Sequence, residues 1–161
     1  ANSQMAASTN AGSGYAITVN GTTMTSGSNT ITPLNAPSAS IKGVSQFGLN
    51  LRANTTAAAT CWPTSCTPPT GFPAGSYDSK DVSSVSNATN LRAEPKTGYD
   101  TADTFTFNNG AVVADSSDGH ATLSFPTDAQ IYTASYIVNV PGSQPAGTYT
   151  ATMTYICTPT F

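Results

Sequence analysis

Charge is what this 161-residue chain has least of: five Lys or Arg and eight Asp or Glu make 8% of the sequence, against roughly 25% in an ordinary soluble domain. Five scattered cations under a net charge of −3 build no basic stripe to neutralise phosphates, so nucleic acid is excluded as an expected partner. Long apolar runs are missing too. Nothing approaches the roughly 20 residues that cross a bilayer as a helix, and no charged-then-apolar leader opens the sequence. The expectation is no membrane span, with any secretory signal lying outside these residues.

Chemistry-bearing side chains are equally scarce. The one histidine, His120, sits in Asp118-Gly119-His120 and reads as a solvated turn residue. No Gly-x-Ser-x-Gly stretch offers a nucleophile for it to activate. The carboxylates form no pair whose spacing argues for glycoside hydrolysis. Asp115-Ser116-Ser117-Asp118-Gly119 reads as an Asx-rich turn, because the bidentate glutamate that closes a calcium loop does not follow. Three cysteines are present. Cys61 and Cys66 flank Trp62-Pro63-Thr64-Ser65, a loop short enough to bend into a disulfide; the other reading is two unpaired thiols or half of a metal site. Zinc needs about four ligands, and only His120 and Cys157 remain to complete a set. Cys157, near the end of a strand-like run, reads as a buried thiol. These absences predict no enzyme, no catalytic residue, no metal and no cofactor.

What is there is period-two alternation. Tyr15, Ile17 and Val19 share one face of a run ending in Asn20-Gly21, a dipeptide that favours a tight hairpin turn because both residues accept positive φ. Phe47, Leu49 and Leu51 alternate with Gly48 and Asn50, and Phe105 and Phe107 with Thr104 and Thr106 before Asn108-Asn109-Gly110, the pattern of half-buried strands ending in a turn. Tyr132, Ala134, Tyr136, Val138 and Val140 make one more apolar face, and Tyr149, Ala151, Met153, Tyr155 and Cys157 another, backed by Thr148, Thr150, Thr152 and Thr154. Threonine there keeps strand propensity through β-branching without a greasy outer face. Residues 141–147, which join these last two runs, suit either a wide hairpin or a crossing between sheets. No stretch carries an apolar stripe at helical spacing for three turns. The economical architecture is one antiparallel β-sandwich over residues 1–161.

Residues 53–102 fit least well. They hold Cys61, Cys66 and five prolines among only short weak runs, and predict a loop-rich excursion, pinned by the disulfide, at one end of the sandwich. Trp62, Phe72 and Tyr77 either form a contact patch there or pack the loop onto the sandwich edge.

The opening from Ala7 to Gly21, the stretch Phe47-Gly48-Leu49-Asn50-Leu51-Arg52-Ala53-Asn54, and the closing stretch from Pro145 to Tyr155 with its Gly147-Thr148-Tyr149 resemble secreted surface proteins of small-genome, uncultivated bacteria. The opening and the terminal Gly-Thr-Tyr strand are also similar to spore coat protein U and fimbrial-subunit domains. The latter resemblance implies an immunoglobulin-like, pilin-like fold, and neither group brings catalytic residues to carry over. In such domains a further strand usually precedes the one that starts here near Ser3.

A missing strand leaves an edge of unpaired backbone groups that pairs readily with another chain. Residues 1–13, with Ser3, Gln4, Met5, Ala6, Ala7, Ser8 and Thr9 as the donor-strand candidate, are therefore expected to dock on a neighbouring copy. The function this implies is an extracellular structural subunit of a surface filament or pilus, its partner other copies of itself. The alternative is a monomeric cell-surface adhesin or carbohydrate-binding module that meets host or surface glycans through Trp62, Phe72 and Tyr77.

Overall fold

The computed structural model describes residues 1–53, 94–115 and 127–161. Among these residues there is no helix, and eleven strands follow in order: β1 (Asn2–Thr9), β2 (Tyr15–Gly21), β3 (Thr25–Ser26), β4 (Asn29–Thr30), β5 (Ser38–Ala39), β6 (Gln46–Ala53), β7 (Glu94–Pro95), β8 (Thr104–Phe105), β9 (Ala111–Asp115), β10 (Thr127–Asn139) and β11 (Met153–Pro159). Two sheets dominate, one ordered β1-β10-β6 and the other β11-β2-β9-β7, with β3-β4 and β5-β8 as two-stranded additions. Every strand ladder is antiparallel.

Alternation sends one side of β2, β6 and β10 into a common core, to which β9 adds two consecutive residues at an irregularity in its pairing with β2. Tyr15, Ile17 and Val19 of β2 and Val113 and Ala114 of β9 meet Phe47, Leu49 and Leu51 of β6 and Tyr132 and Ala134 of β10. Phe107, at the turn before β9, sets its ring edge-on to Phe47, centroids 5.2 Å apart, a favoured geometry for two aromatic quadrupoles. On the inward face of β10, Tyr132 and Ala134 are buried and Tyr136 is half-buried. Val138, near the end of β10, and Val140, just beyond it, are exposed.

The outer edge of β6 is sealed. Phe47 N–H donates to Thr32, Leu49 N–H to Thr106 and Leu51 N–H to Tyr99, at 2.7–3.0 Å. On the outer face of β6, Gln46 and Asn50 are buried polar residues. Asn50 Nδ2 donates to the carbonyls of Thr101 and Thr104 at 2.6 and 2.9 Å. Gln46 accepts from Ile41 N–H at 2.7 Å and donates to the Ala39 carbonyl at 3.2 Å. These amides hold segments 38–41 and 101–104 against the sheet, satisfying groups that would otherwise be costly to bury. Gly48 lies between them, where an added Cβ would sit 3.0 Å from Phe105 Cβ and 3.2 Å from Leu34 Cδ1, so a glycine admits the close approach of Leu34 and Phe105.

Two sequence expectations, for Asn20-Gly21 and Cys157, need correcting, and the open reading of residues 141–147 is decided. Asn20-Gly21 makes no hairpin turn: Gly21 is the last residue of β2, paired with Met153, and Asn20 pairs with Thr154. The long-range ladder to β11 overrides the local turn preference, and the Thr152 carbonyl lies where a Gly21 side chain would stand. Residues 141–147 form no hairpin between β10 and β11 but carry the chain from one sheet to the other. Cys157 is exposed, at the outer edge of the sheet on β11, although its pairing partner Ile17 is buried. The Asn108-Asn109-Gly110 turn does form, with Gly110 at φ 78° and its N–H donating to Val19 at 2.8 Å.

Core and edge residues should differ sharply in their contribution to stability. Leu49→Ala, at a fully buried site, is expected to cost about 2–5 kcal/mol, and Val138→Ala, at an exposed one, within about 0.5 kcal/mol. Denaturant midpoints of the two variants against the parent chain check this.

Candidate functional site

The two sheets stack so that their edge strands, β1 and β11, lie on the same side of the molecule. Tyr hydroxyls tie them there. Tyr136 of β10 hydrogen-bonds Ser3 Oγ of β1 and the Tyr155 hydroxyl of β11, both at 2.8 Å. Deeper in, the Tyr15 hydroxyl donates to the Ala7 carbonyl at 3.3 Å and lies 3.1 Å from the Tyr132 hydroxyl. Four phenols from both sheets thus close the side on which β1 and β11 stand, each meeting the need of a buried phenol for a polar partner.

Burial pushes the Tyr15 phenol from 10.0 up to about 12, the Tyr132 hydrogen bond pulling it back and the neighbouring Cys157 thiol adding to the rise. Burial also raises Tyr155, reinforced by Tyr136, and partial desolvation against the sheet edge raises the Cys157 thiol, although the residue is exposed. Cys157 is therefore a protonated thiol at neutral pH, poorly suited as a nucleophile.

The donor-strand candidate Ser3, Gln4, Met5, Ala6, Ala7, Ser8 and Thr9 lies on β1 and pairs with β10 of the same chain, from Asn2↔Ser135 to Thr9↔Thr127 with an irregularity at Ser8. The register fixes which backbone groups are used. Tyr136 N–H donates to the Ala1 carbonyl at 2.8 Å, and the Ala1 ammonium donates to the Tyr136 carbonyl at 3.2 Å. By alternation Ser3 and Met5 also turn their backbone groups to β10, while Asn2, Gln4 and Ala6 turn theirs outward. Only Met5 and Ala7 of β1 pack against the core, and the strand is otherwise exposed or half-exposed. It is held by the ladder to β10, by two apolar side chains and by hydrogen bonds joining Ser3, Gln4 and the Ala7 carbonyl to side chains of β10 and β2.

Cys61, Cys66, Trp62, Phe72 and Tyr77 lie outside the described residues, as do His120 and most of the 53–102 excursion. Its remainder, 94–102, places Lys96 Nζ 3.8 Å from Asp115 Oδ2. Among the described residues no three His, Cys, Asp or Glu side chains gather as a metal site, and no helix is long and apolar enough to cross a membrane.

Sequence reasoning placed Tyr15, Tyr132, Tyr136 and Tyr155 on apolar faces but missed their hydroxyl contacts. The available signal was tyrosine, in place of phenylalanine, at inward positions of three different strands. No family model, curated protein or solved structure matches the chain.

The tyrosines make stability fall at high pH. The folded chain keeps Tyr15 protonated to higher pH than the unfolded chain, so its contribution is intact below about pH 10 and is lost as pH rises toward about 12. The loss is expected to be on the order of 3 kcal/mol, and Tyr15→Phe should flatten that part of the profile while costing roughly 1 kcal/mol at neutral pH. Denaturant unfolding across the alkaline range, followed alongside tyrosinate absorbance, measures both.

Proposed function

We propose that this chain is an extracellular structural subunit of a bacterial surface filament, in which β1 of one copy pairs with β10 of the next. The observation that carries the reading is the attachment of β1: a sheet-edge strand that, among the described residues, has β10 alone as its sheet partner and places two side chains beside the core. Exchanging it between identical copies remakes the same ladder, so the cost is small and falls mainly on the joint at residues 10–14. That joint contains Gly12 and Gly14, the latter at φ 78°, and closes through a Gly14 N–H bond to the Ala11 carbonyl at 3.2 Å. Two antiparallel sheets around one core suit the immunoglobulin-like, pilin-like sandwich to which the resemblance points.

Low charge supports the same reading. Natural edge strands commonly carry lysine or an inward charge that stops another chain from adding on. β1, Asn-Ser-Gln-Met-Ala-Ala-Ser-Thr, has none. An extracellular place agrees with the neutral, hydroxyl-rich composition. The glycan-binding alternative would draw on Trp62, Phe72 and Tyr77, and no described residue favours it.

A designed disulfide tests the exchange. Gln4 and Thr133 are Cα partners at a non-hydrogen-bonded position, where Cα atoms stand about 4.5 Å apart, within reach of a disulfide. Q4C/T133C, in a chain that also carries Cys157→Ser, is expected to give a ladder of covalent multimers on a non-reducing denaturing gel when assembled protein is oxidised. A bond formed only within single chains, in preparations at every concentration, would overturn strand exchange.

A further inference from the structure

The second edge strand, β11, is a separate matter from the exchange of β1. Its pairing with β2 sets which of its backbone groups are spoken for. Thr160 N–H donates to the Gly14 carbonyl at 2.8 Å, and Gly110 N–H donates from the opposite side of β2 to the Val19 carbonyl. Odd residues of β2 therefore face β9 and even ones face β11, so Thr154, Ile156 and Thr158 turn their backbone groups to β2. Met153, Tyr155 and Cys157 turn theirs outward, and Pro159, which has no N–H to offer, occupies the next outward position, as suits an edge strand. Among the described residues no strand pairs with this outer edge.

The geometry points to a second copy of this chain as the occupant, β11 pairing antiparallel with its own counterpart across a two-fold axis centred on Tyr155. An isologous contact of this kind puts residue i opposite residue j wherever i and j are symmetric about the axis. Centred on Tyr155, it sets Tyr155 against Tyr155 and Met153 against Cys157, so all three outward N–H groups meet outward carbonyls. A two-fold through Ile156 would instead set Met153 against Pro159 and leave the Met153 carbonyl without a donor.

The solvent face agrees with the same register. Ile156, 47% exposed, falls opposite the partner copy's Thr154, which is also exposed, a cross-strand pair of β-branched residues. Charge does not oppose the contact, since no Asp, Glu, Lys or Arg occurs anywhere in residues 129–161. The result is one continuous eight-stranded sheet made of β11-β2-β9-β7 from each copy.

The test uses chains whose β1 is closed by the intrachain Q4C/T133C disulfide, with Cys157→Ser, so that exchange of β1 does not contribute to the measured mass. Size-exclusion chromatography with light scattering is expected to give a dimer. T154K/I156K places lysine opposite lysine at both pairs beside the axis and should give a monomer. T154E/I156K places glutamate opposite lysine and should restore the dimer at low salt, less so at high salt; this variant also shows that the two exposed positions accept charge without loss of the fold. A closed chain that stays monomeric up to its solubility limit, or a dimer untouched by T154K/I156K, would overturn the proposal. A monomeric T154K/I156K that T154E/I156K fails to rescue would overturn the Tyr155-centred register.

Discussion

A strand that offers apolar side chains to one face only must find a second layer to cover them, and this molecule turns on how β2 and β6 meet that demand across a single core. Tyr15, Ile17 and Val19 from one sheet and Phe47, Leu49 and Leu51 from the other are all buried, and each strand is the reason the other is stable. Burying apolar area at roughly 25 cal/mol per Å² is the main force available, because ionic contacts are so few in a chain of this composition. The remaining elements follow from protecting that core: β9 and β10 widen it, Phe107 closes one end, and the polar segments over β6 are fastened by Gln46 and Asn50.

Much of this was legible in the alternation. The inward triplets of β2 and β6 and the pair Tyr132 and Ala134 were readable one residue at a time, because side-chain direction in a strand is fixed by parity. What parity does not encode is which of those positions are covered. Val138, Val140 and Cys157 have the right parity for burial and are nevertheless exposed, although Val138 and Cys157 pair directly with the buried Phe47 and Ile17. Asn20-Gly21 misled for a related reason: turn preference is a local quantity of modest size, and seven residues of pairing between β2 and β11 outweigh it.

The site was legible only in outline. A strand starting near Ser3 came from the resemblance, and nothing local specifies that β10 is its partner, or that Ser3 meets Tyr136 and through it Tyr155. Contacts separated by more than a hundred positions in the chain depend on topology. The buried amides of Gln46 and Asn50 were equally hidden, since a polar residue at an outward position reads as solvent-facing until the segment that covers it is known.

The stretch from residue 129 onward, most of β10 and all of β11, contains no Asp, Glu, Lys, Arg or His, yet it supplies strands to both principal sheets. Attraction and repulsion between ions are what salt screens, and here there is almost nothing to screen. These two strands therefore hold their places through backbone pairing and apolar contact, neither of which charge screening weakens, so added salt acts on them through the strength of apolar burial.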